Sequence, residues 1–170
     1  MTLPLPEVSA RLCSSCGMCC DGVLFHSVEL QQEDSPRQLS SLGLKLRKKK
    51  GVTFFLQPCL AHREEGGSCS CSIYEERPSR CRIFQCRQIL AVGSGDASEA
   101  EARKKIDTAK AMVTGVEQLI GQLAETNPNR SLAHRCANAL TTAERTPLHE
   151  RLESSMKELE AFLEKEFRVA

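Results

Sequence analysis

The run Cys13-Ser-Ser-Cys16-Gly-Met-Cys19-Cys20 places four thiols within eight residues, the last two adjacent. No other feature of the chain restricts its folding as strongly. Such a segment is held either by disulfides or by a metal, and the surroundings decide which. The first residues, MTLPLPEVSARL, contain no basic stretch followed by a long apolar run, so a signal peptide is not expected. No stretch approaches the roughly 20 apolar residues of a membrane span. A cytoplasmic chain is therefore expected, in which thiols stay reduced and clustered cysteines serve metals rather than disulfides. Nine of the ten cysteines, namely Cys13, Cys16, Cys19, Cys20, Cys59, Cys69, Cys71, Cys81 and Cys86, precede residue 90, and only Cys136 follows.

The spacing narrows the chemistry. Thiolates suit zinc and iron–sulfur clusters above all. Cys13-x2-Cys16-x2-Cys19 has the spacing of the first three ligands of a bacterial ferredoxin run. The likeness stops there, because a cysteine follows at once and no Cys-Pro comes three residues later. The Cys-x3-Cys-x2-Cys spacing of radical enzymes and the two separated knuckles of a zinc ribbon are both absent from the sequence. Cys19-Cys20 adds a restriction of its own. Neighbouring side chains of extended backbone point to opposite sides. These two cysteines are therefore expected to serve two different metals or to bridge a polynuclear centre. With Cys59, Cys71, Cys81 and Cys86 they complete eight candidate metal ligands: two four-sulfur sites, or one cluster plus a further ion.

Charge points the same way. Four thiolates around one divalent ion leave an anionic centre. Arg63, Arg77, Arg80, Arg82 and Arg87 are interleaved with the later cysteines and are expected to donate to sulfur and offset that charge. The alternative is that they are ordinary surface residues. Pro78 is expected in the first turn of a helix that carries Cys81 where the dipole favours thiolate.

Periodicity gives the frame. Gly22–Phe25, with Val28–Leu30, reads as a short strand. Residues 31–43 read as a turn and a short helix that Gly43 stops. Val52–Leu56 is β-branched and aromatic, a strand. Cys71–Tyr74 reads as its return, so residues 52–74 are expected to form a hairpin with cysteines near its base. Residues 91–97 read as a flexible boundary. Beyond it, Asp96 or Ser98 is expected to cap a helix whose seam is Ala102, Ile106, Ala109, Val113, Val116, Ile120 and Leu123. Asn127-Pro128 breaks it. Leu132, Cys136, Leu140 and Ala143 mark a shorter helix, with Cys136 as a small core residue. Thr146-Pro147 caps the last one, with Leu148, Leu152, Met156, Leu159, Leu163 and Phe167 on its apolar face and Glu153–Lys157 as an i, i+4 pair.

The fold expected is α+β: a small, irregular, metal-stabilised cysteine-cluster domain over residues 1–92, with short strands and a hairpin, then a helical appendage over 96–170. Only seven aromatic residues occur, five of them in the first half, so the core there is expected to be thin.

Read together, CSSCGMCC, a later PCL, and CSIYEERPSRCRIFQC resemble the YkgJ-type cysteine-cluster family, a zinc- or iron-chelating domain. The pattern falls on Cys13, Cys16, Gly17, Cys19, Cys20, Cys59, Leu60, Cys71, Ile73, Tyr74, Arg77, Pro78, Cys81, Arg82, Phe84 and Cys86. It covers residues 13–90, and the helical half looks like the variable tail of such proteins. The resemblance implies a metal centre, iron–sulfur or zinc, with no settled common activity. Some larger relatives look like flagellin lysine methylases. This chain has no Gly-rich strand–turn–helix to hold S-adenosylmethionine, so that activity is not expected. Cys69 is extra to the pattern and is read as a non-ligand. His62 lies three residues after Cys59, a spacing some ligands adopt, but a solvated turn histidine is the simpler reading. His26, His134 and His149 have no partners by spacing.

Three functions remain open. The first is an iron–sulfur protein, [4Fe–4S] being the leading form, with a redox or electron-transfer role. The second is a zinc-stapled module whose helical region binds an unidentified protein partner. The third is a metal-dependent enzyme that modifies a protein. For the third the sequence offers little, since Glu75 and Glu76 have no evident catalytic pairing. The net charge of +1 carries no field that points to nucleic acid or membrane. The basic run from Lys45 to Lys50 is short and lacks stacking aromatics, so nucleic-acid binding is not expected and a solvated loop is.

Overall fold

The computed structural model of the protein describes residues 5–125, 127–141 and 144–169. The first four residues of the N-terminal segment and Ala143, expected at the end of the middle helix, lie outside the described residues. The elements run α1 (Leu5–Cys16), β1 (Ser27–Glu29), α2 (Pro36–Ser41), β2 (Leu46–Lys49), β3 (Val52–Leu56), β4 (His62–Glu65), β5 (Ser68–Cys71), α3 (Ser79–Ile83), α4 (Arg87–Ser94), α5 (Glu99–Gln122), α6 (Leu132–Ala139) and α7 (Pro147–Glu166). This is a small α+β fold, as the sequence predicts.

The strands pair differently from the expectation. An antiparallel sheet has the order β1-β3-β2, with Val28 opposite Phe55 and Leu46 also opposite Phe55. The basic run is therefore a strand, not a loop. It returns through Lys50 (φ +50) and Gly51 (φ +84), the two positive-φ residues of a tight hairpin turn. The first strand is Ser27–Glu29, while Gly22–Phe25 runs irregularly. The second hairpin is β4–β5, closed by Gly66-Gly67, both at positive φ. Residues 72–74 are turn rather than strand. On this ribbon His62 faces Cys71 and Glu64 faces Cys69, so all four side chains share one face.

The helices of the second half follow their sequence signals, whereas residues 91–94, expected in a flexible boundary, belong to α4. Ser98 and Glu101 form the capping box that opens α5. Thr146 caps α7 reciprocally with His149, the partner that spacing alone did not reveal. Pro78 sits one position earlier than expected, as the N-cap of α3. Lys157 pairs with Glu153 at 3.5 Å.

Two cores result. The larger one joins Val8 and Leu12 of α1, Met18, Val23 and Leu24, Ile89 and Val92 of α4, and the inner faces of α5, α6 and α7, including Cys136. The helical half thus packs on the cysteine-bearing half, which supplies part of this core. The smaller core is Leu39, Leu44, Phe55, Ala61 and Ile73. Among the described residues no helix is long and apolar enough to cross a membrane.

Candidate metal centre

Local structure sets the first four thiols along one short stretch of chain. Cys13 and Cys16 lie one turn apart at the end of α1. Gly17 then adopts φ +75, the left-handed conformation that ends helices and favours glycine. The amides of Cys20 and Asp21 both donate to the Gly17 carbonyl, at 2.8 and 3.0 Å, so the chain turns sharply through Cys19 and Cys20. The two sulfurs stand 3.8 Å apart. The segment after β3 clamps this turn. Gln57 Nε2 donates to the Cys19 carbonyl at 3.0 Å, and the Cys59 amide donates to the Cys20 carbonyl at 2.8 Å.

The later cysteines arrive from three directions. Cys59 follows β3, Cys71 ends β5, and Cys81 lies in α3, which Asp34 anchors by accepting from the Ser79 amide and hydroxyl at 2.8 Å each. Phe84 meets the Phe25 ring edge-on, centroids 5.0 Å apart, and this contact positions the bend between α3 and α4. Cys86 is the N-cap of α4. Immediately after it the Arg87 amide donates to the Phe167 carbonyl at 3.0 Å, which docks the end of α7 beside the cysteines.

A repeated contact marks four of the thiols. A backbone amide two residues on favours the charged form of Cys16 (Met18), Cys59 (Ala61), Cys71 (Ile73) and Cys86 (Gln88). Such donors favour the thiolate over the thiol. Neither Cys69 nor Cys136 receives one. The His62 amide donates to the Cys59 carbonyl at 3.0 Å.

Without a cation the thiols resist ionisation. Burial, then repulsion from Cys86 and Cys20, pushes Cys13 up to about 11, although the residue keeps an exposed edge. Burial pushes Cys16 to about 12, with Cys86 and Cys13 adding to it. Cys81 also rises to about 12, through burial and then Cys20, Cys59 and Cys71. In the adjacent pair the hydrogen bond shares one proton: Cys19 is held well up and Cys20 is pulled down. Cys59, Cys71 and Cys86 are raised by burial.

The arginines divide unequally. Arg77 stacks over the Tyr74 ring, 3.7 Å to its centroid, and its charge favours the thiolates of Cys13, Cys20, Cys71 and Cys81. Its Nε is buried with no partner. The others make different contacts. Arg63 donates to the carbonyls of Leu60 and His62, though its charge also favours the Cys71 thiolate. Arg82 donates to those of Arg77 and Glu75, Arg87 to that of Arg168, and Arg80 pairs with Glu29. The expectation of five arginines donating to sulfur is corrected: side chains this long find carbonyls and carboxylates nearer than the buried sulfurs.

Two residues sequence reasoning set aside lie against this region. Cys69 is buried, and its Sγ would stand 2.7 Å from a Cβ built on Gly17; His62 Nε2 would stand 3.1 Å from it. That nitrogen is buried without a partner, and burial holds the imidazole below its usual range. The Cys59-x2-His62 spacing and the alternation of β4 and β5 carried the signal for His62. Asp21 is pushed up to about 6 by burial.

Among the described residues no three His, Cys, Asp or Glu side chains stand as a closed ligand set. The donor chemistry nevertheless fits a thiophilic cation: neighbouring thiols, amides that favour thiolate, and repulsion that positive charge would relieve. Neither a curated protein nor a solved structure matches the chain. A family model described as "Putative zinc- or iron-chelating domain" matches residues 12–111, more than half of the chain, and the protein therefore belongs to this CxxCxxCC family.

Proposed function

We propose that this chain is an iron–sulfur protein with an electron-transfer role, its cluster or clusters held by Cys13, Cys16, Cys19, Cys20, Cys59, Cys71, Cys81 and Cys86. The observation that carries the reading is the turn at Gly17, which follows Cys13 and Cys16 at the end of α1 and sets the Cys19 and Cys20 sulfurs 3.8 Å apart. Amide hydrogen bonds to sulfur are one of the levers by which a protein sets the potential of such a centre. The tight Cys-x2-Cys-x2-Cys run favours iron, and Cys13 at the surface offers a short path for electrons. Bound iron would supply the one-electron change. The chain supplies the ligands, the amide donors and the charge of Arg77.

A second reading has its own support. The smaller core contains five buried residues, with Cys59, Cys71 and Cys81 at its edge. A core of that size gains most from a metal that links its loops. In that case zinc is a staple, and the helical region is where a protein partner is met.

The test is iron, zinc and acid-labile sulfide content, with an absorption spectrum, on protein purified without oxygen. Iron with sulfide and a broad band near roughly 400 nm that bleaches on reduction supports the first reading. Colourless protein with stoichiometric zinc replaces it with the second.

A further inference from the structure

A cavity of about 290 Å³ lies where the end of the first sheet meets the start of α6. His26 and Gln57 form one wall. The Gln57 amide donates to the His26 carbonyl at 2.9 Å, one residue past the paired Ser27 and Leu56 of β1 and β3. Arg130, Ser131, Ala133 and His134 form the other wall. The two walls are pinned together. The Leu132 amide donates to the Gly22 carbonyl at 3.0 Å, and a Cβ on Gly22, at φ +90, would stand 3.0 Å from the Ser131 Cα. Glycine at this position permits the close approach. None of these residues is a candidate metal ligand.

The walls carry unspent hydrogen-bonding groups. Ser131 is the N-cap of α6, yet its side chain does not cap the helix. Its hydroxyl oxygen stands 2.8 Å from His26 Nδ1 instead. The amides of Ala133 and His134, which an N-cap side chain ordinarily satisfies, are left open at the positive end of the helix. The His26–Ser131 pair keeps a further donor in either tautomer: the Ser131 hydroxyl if Nδ1 donates, the His26 Nε2–H if Nδ1 accepts. Arg130 has no carboxylate partner, and no Asp or Glu lines the cavity, among the described residues. Gln57 is 2% exposed. Its Nε2 donates to the Cys19 carbonyl, and its Oε1 is buried without a partner. Several open donors beside a cation call for an anion. The orphaned acceptor calls for a ligand that also carries a hydroxyl.

We propose that this cavity binds a phosphate group, carried by inorganic phosphate or by a small phosphate monoester. The Ala133 and His134 amides, Arg130 and the free donor of the His26–Ser131 pair would meet the phosphate oxygens, as helix N-termini meet phosphate elsewhere. Gln57 Oε1 would accept from the P–OH of monohydrogen phosphate or from an alcohol of the ester. The site does not rest on the metal-binding reading.

The test is isothermal titration calorimetry on the full-length protein with its metal as purified, at fixed ionic strength, with inorganic phosphate and glycerol phosphate as probes. Saturable one-to-one binding of at least one is expected. Tighter binding of glycerol phosphate assigns the site to an organic monoester, and tighter binding of inorganic phosphate to the free ion. Arg130→Gln should weaken binding about tenfold or more. His134→Asp, at an exposed position where an acidic residue suits the first helical turn, should weaken it at least as much. It keeps the test valid if Arg130→Gln fails to fold. Lys48→Gln, which does not line the cavity, should bind as the wild type does. No saturable binding of either probe overturns the proposal, as does binding that folded His134→Asp leaves intact. Binding lost in Lys48→Gln overturns it too, since that marks general attraction to the basic strand. Binding that follows the metal content of each preparation rather than Arg130 and His134 places the phosphate on the metal and also overturns it.

Discussion

Substituting Gly17 by alanine tests how the turn between α1 and the adjacent cysteines is held. Two penalties apply. Alanine at φ +75 costs about 1–2 kcal/mol relative to glycine, because its Cβ crowds the following carbonyl. That Cβ would also stand 2.7 Å from Cys69 Sγ, closer than real Cβ atoms approach, and 3.1 Å from His62 Nε2, a tight contact. Overpacking of this kind costs about 1–3 kcal/mol. The stiffer unfolded chain returns about 0.4–1 kcal/mol. A net loss of about 1–4.5 kcal/mol, centred near about 3, follows from these terms. The assay is urea unfolding followed by circular dichroism, at fixed metal content. The midpoint should fall by roughly 1–2 M with an unchanged slope. In a Cys69→Ala background the steric part should shrink and the backbone part remain, leaving a coupling of about 1–2 kcal/mol between the two substitutions. A midpoint that is unchanged or raised refutes the argument as a whole. A full loss without coupling refutes the close approach of Cys69 but leaves the backbone term standing.

Phe167 is 1% exposed beyond the end of α7, packed against Phe162 and tied by its carbonyl to the amide that follows Cys86. Phe167→Ala should cost about 3–5 kcal/mol in thermal or urea unfolding; a cost near zero would contradict the docking of α7 on α4. In the metal-free, reduced chain, burial holds Cys16 and Cys81 near about 12, above the ordinary thiol value of 9.0. The unfolded chain then loses these protons first. Stability is complete below about pH 9 and falls as pH rises towards about 12. A urea midpoint that stays level across that window would disprove the burial of these thiols. The metal-loaded chain should show no such fall, since ligated thiolates carry no proton to lose.

What was legible in the sequence was mostly local. The helices α5 and α7 could be read because a 3.6-residue period and a capping residue are properties of one segment. The seam at Ala102, Ile106, Ala109, Val116 and Ile120 is buried as expected. Strands were harder. The run at Lys45–Lys50 has its charges outward on an edge strand, where solvent satisfies them, so composition alone resembles a loop. The pairing of β3 with β1 and β2, rather than with residues 71–74, depends on partners distant in sequence, and no single segment encodes it. His149 was missed as a capping partner because histidine is uncommon at that position of the box.

The sequence by itself determined the chemistry: ten cysteines, eight of them in the family's spacing, and a chain that belongs with zinc- and iron-chelating domains. Soft ligands at short intervals are recognisable without a fold, because ligation begins with residue type and reach. Tertiary structure alone decided which thiols are neighbours. It set Cys86 beside α1 by packing α4 and α1 into the larger core, and gathered Cys59, Cys71 and Cys81 at the edge of the smaller one. It also placed Cys69 and His62 against Gly17, and it turned Arg77 but not the other arginines into a charge felt by four thiols. The reason is physical. Repulsion, close approach and shared ligation depend on distance through space, and that distance is set by how distant segments pack.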